Sequence, residues 1–227
     1  MEGEVEMQAL PVPADAVERL IEGNLRFAHG RSTRGAGVDP DRREEVAGGQ
    51  RPWAVVLACA DSRVAPEHLF DAGLGELFVC RTAGNLVDTI VTGSIEYAVA
   101  QCGCPLVCVV GHSSCGAAAA AVAADHDPAQ VESESLAFLV NRFGAVLAAT
   151  RGEVRDDVAW ADAAARENVA RTCHSLVGRS TILADAVAVG RCGVVGLWYD
   201  LASGLVEVVV PLGPAQGLDG GVVPSVP

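Results

Sequence analysis

The sequence predicts an α/β protein: a mainly parallel central sheet flanked by helices, with a C-terminal antiparallel edge hairpin. Three observations predict it. Short apolar runs at residues 53–58, 77–80 and 106–110 are continuous rather than alternating, as in strands buried on both faces. Helical stretches around residues 66–70 and 88–101 separate them, so strand and helix alternate as in right-handed parallel crossovers. Two late apolar runs, 193–197 and 205–210, surround a turn near residues 199–204 and read as a hairpin.

The elements follow in order. Residues 13–30 form an amphipathic helix, because Val17, Leu20, Ile21, Leu25 and Ala28 recur at helical spacing and Gly30 suits its end. A polar link, 31–37, leads to Asp39-Pro40, an N-cap followed by proline at the first helical position. After the third strand come an Ala-rich helix at 115–124 and helices at 135–150, 160–176 and 180–189. No internal repeat and no Pro/Gly/Ser linker interrupts the chain. Residues 1–210 are therefore expected to form one domain with an N-terminal helical arm, and 211–227 a Pro/Gly-rich, weakly ordered tail.

The 227 residues are 50% apolar but only 4% aromatic, so the core is built from Ala, Val, Leu and Gly. A net charge of -13 repels phosphate backbones and argues against nucleic-acid binding. All 16 basic residues are Arg, so no lysine Schiff base can form. The first ten residues are acidic and lack the apolar core of a secretory signal. No run is long enough to span a bilayer: the most apolar central stretch, 99–111, is interrupted by Gln101, Gly103 and Pro105. A cytoplasmic location is expected, where cysteines bind metal or react more often than they form disulfides.

Two segments carry chemistry. Cys59-Ala-Asp61-Ser-Arg63 follows the first strand, and His112-Ser-Ser-Cys115-Gly116 follows the third. Ligands of open α/β sheets gather outside the carboxyl ends of strands. Two cysteines and one histidine suit zinc, and three protein ligands leave the fourth position open, as in catalytic sites. A lone His or Cys at a strand end is more often a packing residue. The pair of motifs at two strand ends, with Asp61 and Arg63 attached, outweighs that reading. Cys80, Cys102, Cys104, Cys108, Cys173 and Cys192 read as core thiols, and His29, His68, His126 and His174 as surface or satisfied residues.

C-x-D-S-R followed about fifty residues later by H-x-x-C-G resembles the β-class carbonic anhydrases. Residues 64–86 and 93–99, the Glu167-Asn168-Val169 triple and Tyr199-Asp200 are also similar to that family, and the likeness spans 20–210. Ala60 and Thr82 depart from its commonest residues, neither at a ligand position. The resemblance implies an enzyme holding one zinc per subunit on Cys59, His112 and Cys115. Its reaction would be the reversible hydration of carbon dioxide to bicarbonate and a proton by zinc-bound hydroxide. It makes Asp61 and Arg63 the acid–base and orienting dyad, with Asp61 as fourth zinc ligand only in a closed state. It makes Phe78 and Tyr97 the pocket aromatics and Gln50 the polar substrate contact, while Gly116 offers a backbone N–H to a bicarbonate oxygen. It also implies a homodimer or dimer of dimers, with the pocket between subunits and the N-terminal helix wrapped around a neighbour.

Zinc lowers the pKa of its water from 15.7 to about 7 in a three-histidine hydratase. Two thiolates bring the ion and its ligands near neutrality, so activity here is expected to rise through mildly alkaline pH. Two other functions share the ligand set: a hydrolase of carbonyl sulfide or carbon disulfide, and a non-catalytic zinc or redox-sensing protein. A structural zinc site needs none of Asp61, Arg63, Gln50, Phe78 and Tyr97, which argues against the second. Some bacterial members of the family carry an inhibitory bicarbonate site of tryptophan, arginine and tyrosine. Arg81 and Tyr199 match the last two; Val56 stands at the tryptophan position, and Trp53 is expected on the opposite face of the strand. Asp61 is therefore expected to stay paired with Arg63, and bicarbonate to act as a simple product inhibitor.

Overall fold

Helix α1 (Pro13–Ala28) buries Ala16, Val17 and Leu20 against one face of the sheet. Its Asn24 has no exposed surface; the side-chain amide donates to Gly204 O at 2.8 Å, and its oxygen accepts from Val206 N–H at 2.9 Å. The apolar stripe of this helix and its buried amide are both seated on its own sheet. The structure, a computed structural model, describes residues 10–33, 37–152 and 156–215.

The remaining elements alternate much as the sequence predicts. They are α2 (Pro40–Val46), β1 (Ala54–Cys59), α3 (Pro66–Leu69), β2 (Leu77–Thr82), α4 (Thr89–Gln101) and β3 (Leu106–His112). Then follow α5 (Gly116–His126), α6 (Glu134–Asn141), α7 (Gly144–Thr150), α8 (Asp157–Arg179), α9 (Thr181–Ala188), β4 (Gly193–Tyr199) and β5 (Val206–Leu212). Asp39 and Asp88 cap α2 and α4, each accepting a backbone N–H at 2.8 Å.

The five strands lie in the order β2-β1-β3-β4-β5; the first four are parallel and β5 returns antiparallel to β4. Connections leave β1 toward β2 and β3 toward β4, so the strand order diverges between β1 and β3. A cleft at the carboxyl ends of these two strands is where such a sheet binds ligands. Alternate residues feed the two faces. Val56, Ala58, Cys108 and Val110 join α1 and α3, while Val55, Leu57, Val107 and Val109 join α4, α8 and α9. Each fully buried Val or Leu contributes about 1.5–3 kcal/mol, which anchors the two strands that carry the site.

Three expectations change. Residues 135–150 form two helices, because Phe143 turns its fully buried ring inward between them and the amides of Arg142 and Phe143 bond to Leu139 and Val140. Pro211 does not end the ordered chain: β5 runs to Leu212 and a 3-10 turn, Gly213–Ala215, buries Ala215, while the tail from residue 216 lies outside the described residues. Trp53 shares the cluster of Val56 rather than the opposite face, since it sits in a bend before β1, where the pleat has not begun.

Candidate metal centre

Cys59 ends β1 and His112 ends β3, two neighbouring parallel strands; Cys115 immediately precedes α5. Their relative exposures are 4%, 1% and 2%, and their ligand atoms lie within 4.8 Å of one another. Among the described residues this is the one such cluster of three. His112 Nδ1–H donates to Ser113 O at 2.9 Å, which leaves the Nε2 lone pair free. That Nε2 is buried without a hydrogen-bond partner. A bare buried polar atom costs about 1–3 kcal/mol, and a metal ion placed there satisfies it. The donor set of two sulfurs and one imidazole nitrogen fits a borderline-soft divalent ion.

The two sulfurs interact strongly. Hydrogen bonding from the Cys115 thiol and from the amides of Asp61 and Gly84 outweighs burial and lowers Cys59 below the ordinary thiol range. Cys115 moves the other way, pushed up by its bond to Cys59 and by burial, although the amides of Ala118 and Ala117 favour its thiolate. Two sulfurs this close share one proton, and a cation is what allows both to be thiolates.

Beside them stands an ion pair. Arg63 Nε and Nη2 donate to Asp61 Oδ1 and Oδ2 at 2.9 and 2.6 Å, and the Arg63 backbone N–H adds a bond to Oδ1 at 2.9 Å. The guanidinium holds Asp61 well below the usual carboxylate range. Arg81, a sequence candidate for the anion site, donates to Cys59 O at 3.0 Å and Asp61 O at 2.6 Å, so its guanidinium braces the motif backbone. Tyr199 pairs with His112 across β3 and β4 and is buried, as is Val56.

Helix α8 supports both halves of the centre. Asn168 Nδ2 donates to Gly84 O at 3.1 Å, and Gly84 N–H points at Cys59 Sγ at 3.3 Å. Gly84 has φ +68°, and a Cβ there would lie 2.6 Å from the Phe143 ring, so only glycine fits. Asp162 Oδ1 accepts the Ser114 N–H at 2.7 Å. The sequence reading missed Asp162; the only local signal is an acid on a helix whose neighbouring Ala161, Ala164 and Ala165 are core residues.

The residues assigned to the substrate pocket are not all brought together within one chain. Gly116 opens α5 beside Cys115 and is exposed. Phe78 pairs with Val55, four positions before Cys59, which puts it about 13 Å back along the strand. Tyr97 on α4 lies against Phe78, ring centroids 6.3 Å apart, and is 53% exposed. Gln50 precedes β1 and is exposed. Elsewhere, Cys104, Cys108, Cys173 and Cys192 are buried core thiols; burial pushes Cys104, Cys173 and Cys192 up to about 12 and Cys108 well above the usual range. His29, His68, His126 and His174 are exposed. No helix among the described residues is long and apolar enough to cross a membrane.

A buried Cys/His/Cys cluster at the switch point of a parallel sheet, flanked by an ionised carboxylate, defines the class: an α/β protein with a candidate catalytic metal centre. Residues 54–206 match the family model described as carbonic anhydrase. The chain is 41% identical over 192 residues to "Carbonic anhydrase 2" of Mycobacterium tuberculosis, covering 85% of this chain and 90% of that one. It is also 41% identical over 202 residues to a carbonic anhydrase of Mycolicibacterium smegmatis, covering 88% and 95%. The solved Coccomyxa β-carbonic anhydrase in complex with acetazolamide superposes with a TM-score of 0.69 at 27% identity, over 87% of this chain and 88% of that one. The chain belongs to the β-class carbonic anhydrase family, whose members are lyases.

Proposed function

We propose that the chain catalyses the zinc-dependent, reversible hydration of carbon dioxide to bicarbonate and a proton, with one zinc per subunit held by Cys59, His112 and Cys115. The observation that carries this reading is the unpartnered, buried His112 Nε2 facing two sulfurs within 4.8 Å, beside the Asp61–Arg63 pair. Zinc, when bound, supplies the Lewis acid that makes water acidic near neutral pH. The chain's own residues do the rest. Asp61, ionised and therefore acceptor-only, takes a hydrogen bond from the attacking water and turns its lone pair toward the carbon of the substrate. Arg63 keeps that carboxylate charged and aimed. Gly116 N–H, at the first position of α5, holds a bicarbonate oxygen in this reading.

Carbon dioxide carries no charge to grip, so its pocket needs an apolar wall. Phe78, Tyr97 and Gln50 are the residues proposed for it. Their distance from Cys59 within one chain, and the exposure of Tyr97, support a pocket completed by a second copy in a homodimer or dimer of dimers. The eight cysteines are free thiols, in keeping with a cytoplasmic location. No observation favours hydrolysis of sulfur analogues or a non-catalytic role. The test is metal analysis with stopped-flow hydration. One zinc per chain and rapid hydration are expected. Cys59→Ser and His112→Ala should lose both together, and Asp61→Asn should keep zinc and lose most of the rate. Full activity of either ligand variant without added metal would refute the assignment.

A further inference from the structure

Outside the proposed zinc ligands and the Asp61–Arg63 dyad, one contact ties the loop between His112 and Cys115 to Asp162 of α8. Ser114, between His112 and Cys115, has φ +55°, a conformation that costs a non-glycine residue about 1–2 kcal/mol. Both sides of this residue's backbone are held. Its N–H donates to Asp162 Oδ1 at 2.7 Å, and its carbonyl accepts from Arg63 Nη2 at 3.2 Å. That same Nη2 donates to Asp61 Oδ2 at 2.6 Å. Arg63 is otherwise poorly fixed, with 54% of its side chain exposed against 16% for Asp61. An exposed arginine on its own loses orientation to rotamer entropy, so an anchor on the facing loop matters to where it points. The chain of contacts runs from a helix packed in the core, through Ser114, to the guanidinium that aims Asp61. Ala161, Ala164 and Ala165 lock that helix into the cluster that holds Cys59 and Cys115.

We propose that Asp162 is a positioning residue for the hydration reaction: by holding Ser114 in its left-handed conformation, it sets Arg63, and through Arg63 the orientation of Asp61. This rests on the carbonic anhydrase reading above. Outer partners of this kind are typically worth about 10–100-fold in activity. Asp162→Ala, fully loaded with zinc, should therefore lose at least about tenfold in kcat/KM. Asp162→Asn keeps an oxygen acceptor for the Ser114 N–H and should stay within about threefold of the wild type.

Two further measurements separate positioning from general support. In an Arg63→Ala background, Asp162→Ala should cost nothing more, since the contact it acts through is gone. Amide hydrogen exchange of Ser114, followed by NMR on the zinc-loaded protein, should rise at least about tenfold in Asp162→Ala while Val109 and Val110 in β3 stay protected. Unchanged kcat/KM in Asp162→Ala, additive losses with Arg63→Ala, or exchange rising equally in β3 would each overturn the proposal. If the wild type itself did not hydrate carbon dioxide, the functional reading would fail, and the exchange measurement alone would still decide whether Asp162 holds Ser114.

Discussion

At the scale of single residues, one ion pair makes the acid–base behaviour of the site testable. Arg63 grips both oxygens of Asp61 and holds its carboxyl below the ordinary range. The sign follows from linkage. A depressed folded pKa contributes stability above the unfolded value of about 4. That contribution is lost only as pH falls through the lower folded value. Carbon-13 NMR of the Asp61 carboxyl should show it ionised from pH 8 down to below about 4. In Arg63→Gln its titration should move up toward that ordinary value. A carboxyl that titrates near 4 with Arg63 intact would contradict the pairing.

The elements meet at close approaches that only glycine permits. Gly111 precedes His112 on β3, and a Cβ there would sit 2.4 Å from Val169 Cγ2 of α8. Gly111→Ala would push α8 off the strand that carries His112. A destabilisation of about 1–3 kcal/mol is expected, read as a lower urea midpoint with unchanged m. Adding Val169→Ala should restore part of it, since the clashing methyl group is then gone. If Gly111→Ala unfolded at the wild-type midpoint, the packing of α8 on β3 would have to be revised. The same helix carries Asp162 and Asn168, so movement there should also reach the centre.

At the scale of the whole molecule, the arrangement within one chain leaves Phe78 and Tyr97 paired with each other, away from Cys59. Ile90 and Tyr97 on α4 are large apolar residues left 77% and 53% exposed. A second copy is the occupant proposed for this surface. Sedimentation at micromolar concentration should show dimers or larger species and no monomer. Tyr97→Asp should shift the distribution toward monomer and lower kcat/KM while zinc stays bound, because Cys59, His112 and Cys115 come from one chain. A fully active monomer would refute a pocket completed by a partner.

Much of this protein is legible in its sequence, and the reason is local. Continuous apolar runs declare buried parallel strands, so the sheet and the strand ends bearing Cys59 and His112 follow from the order of residues alone. The spacing of Cys59, Asp61 and Arg63 already puts a carboxylate and its arginine beside a sulfur. What the sequence does not disclose depends on how distant segments cross. The break between α6 and α7 comes from where the Phe143 ring must go, over Gly84. The seating of α1 on its own sheet comes from Asn24 reaching Gly204 and Val206. The hold of Asp162 on Ser114 and of Asn168 on Gly84 joins positions 48 and 84 residues apart. No periodicity or motif encodes such pairs. The tertiary structure decided them, because a single hydrogen bond depends on ångström-scale packing of α8 against the sheet, whereas a strand or a ligand triplet needs only its own residues in order.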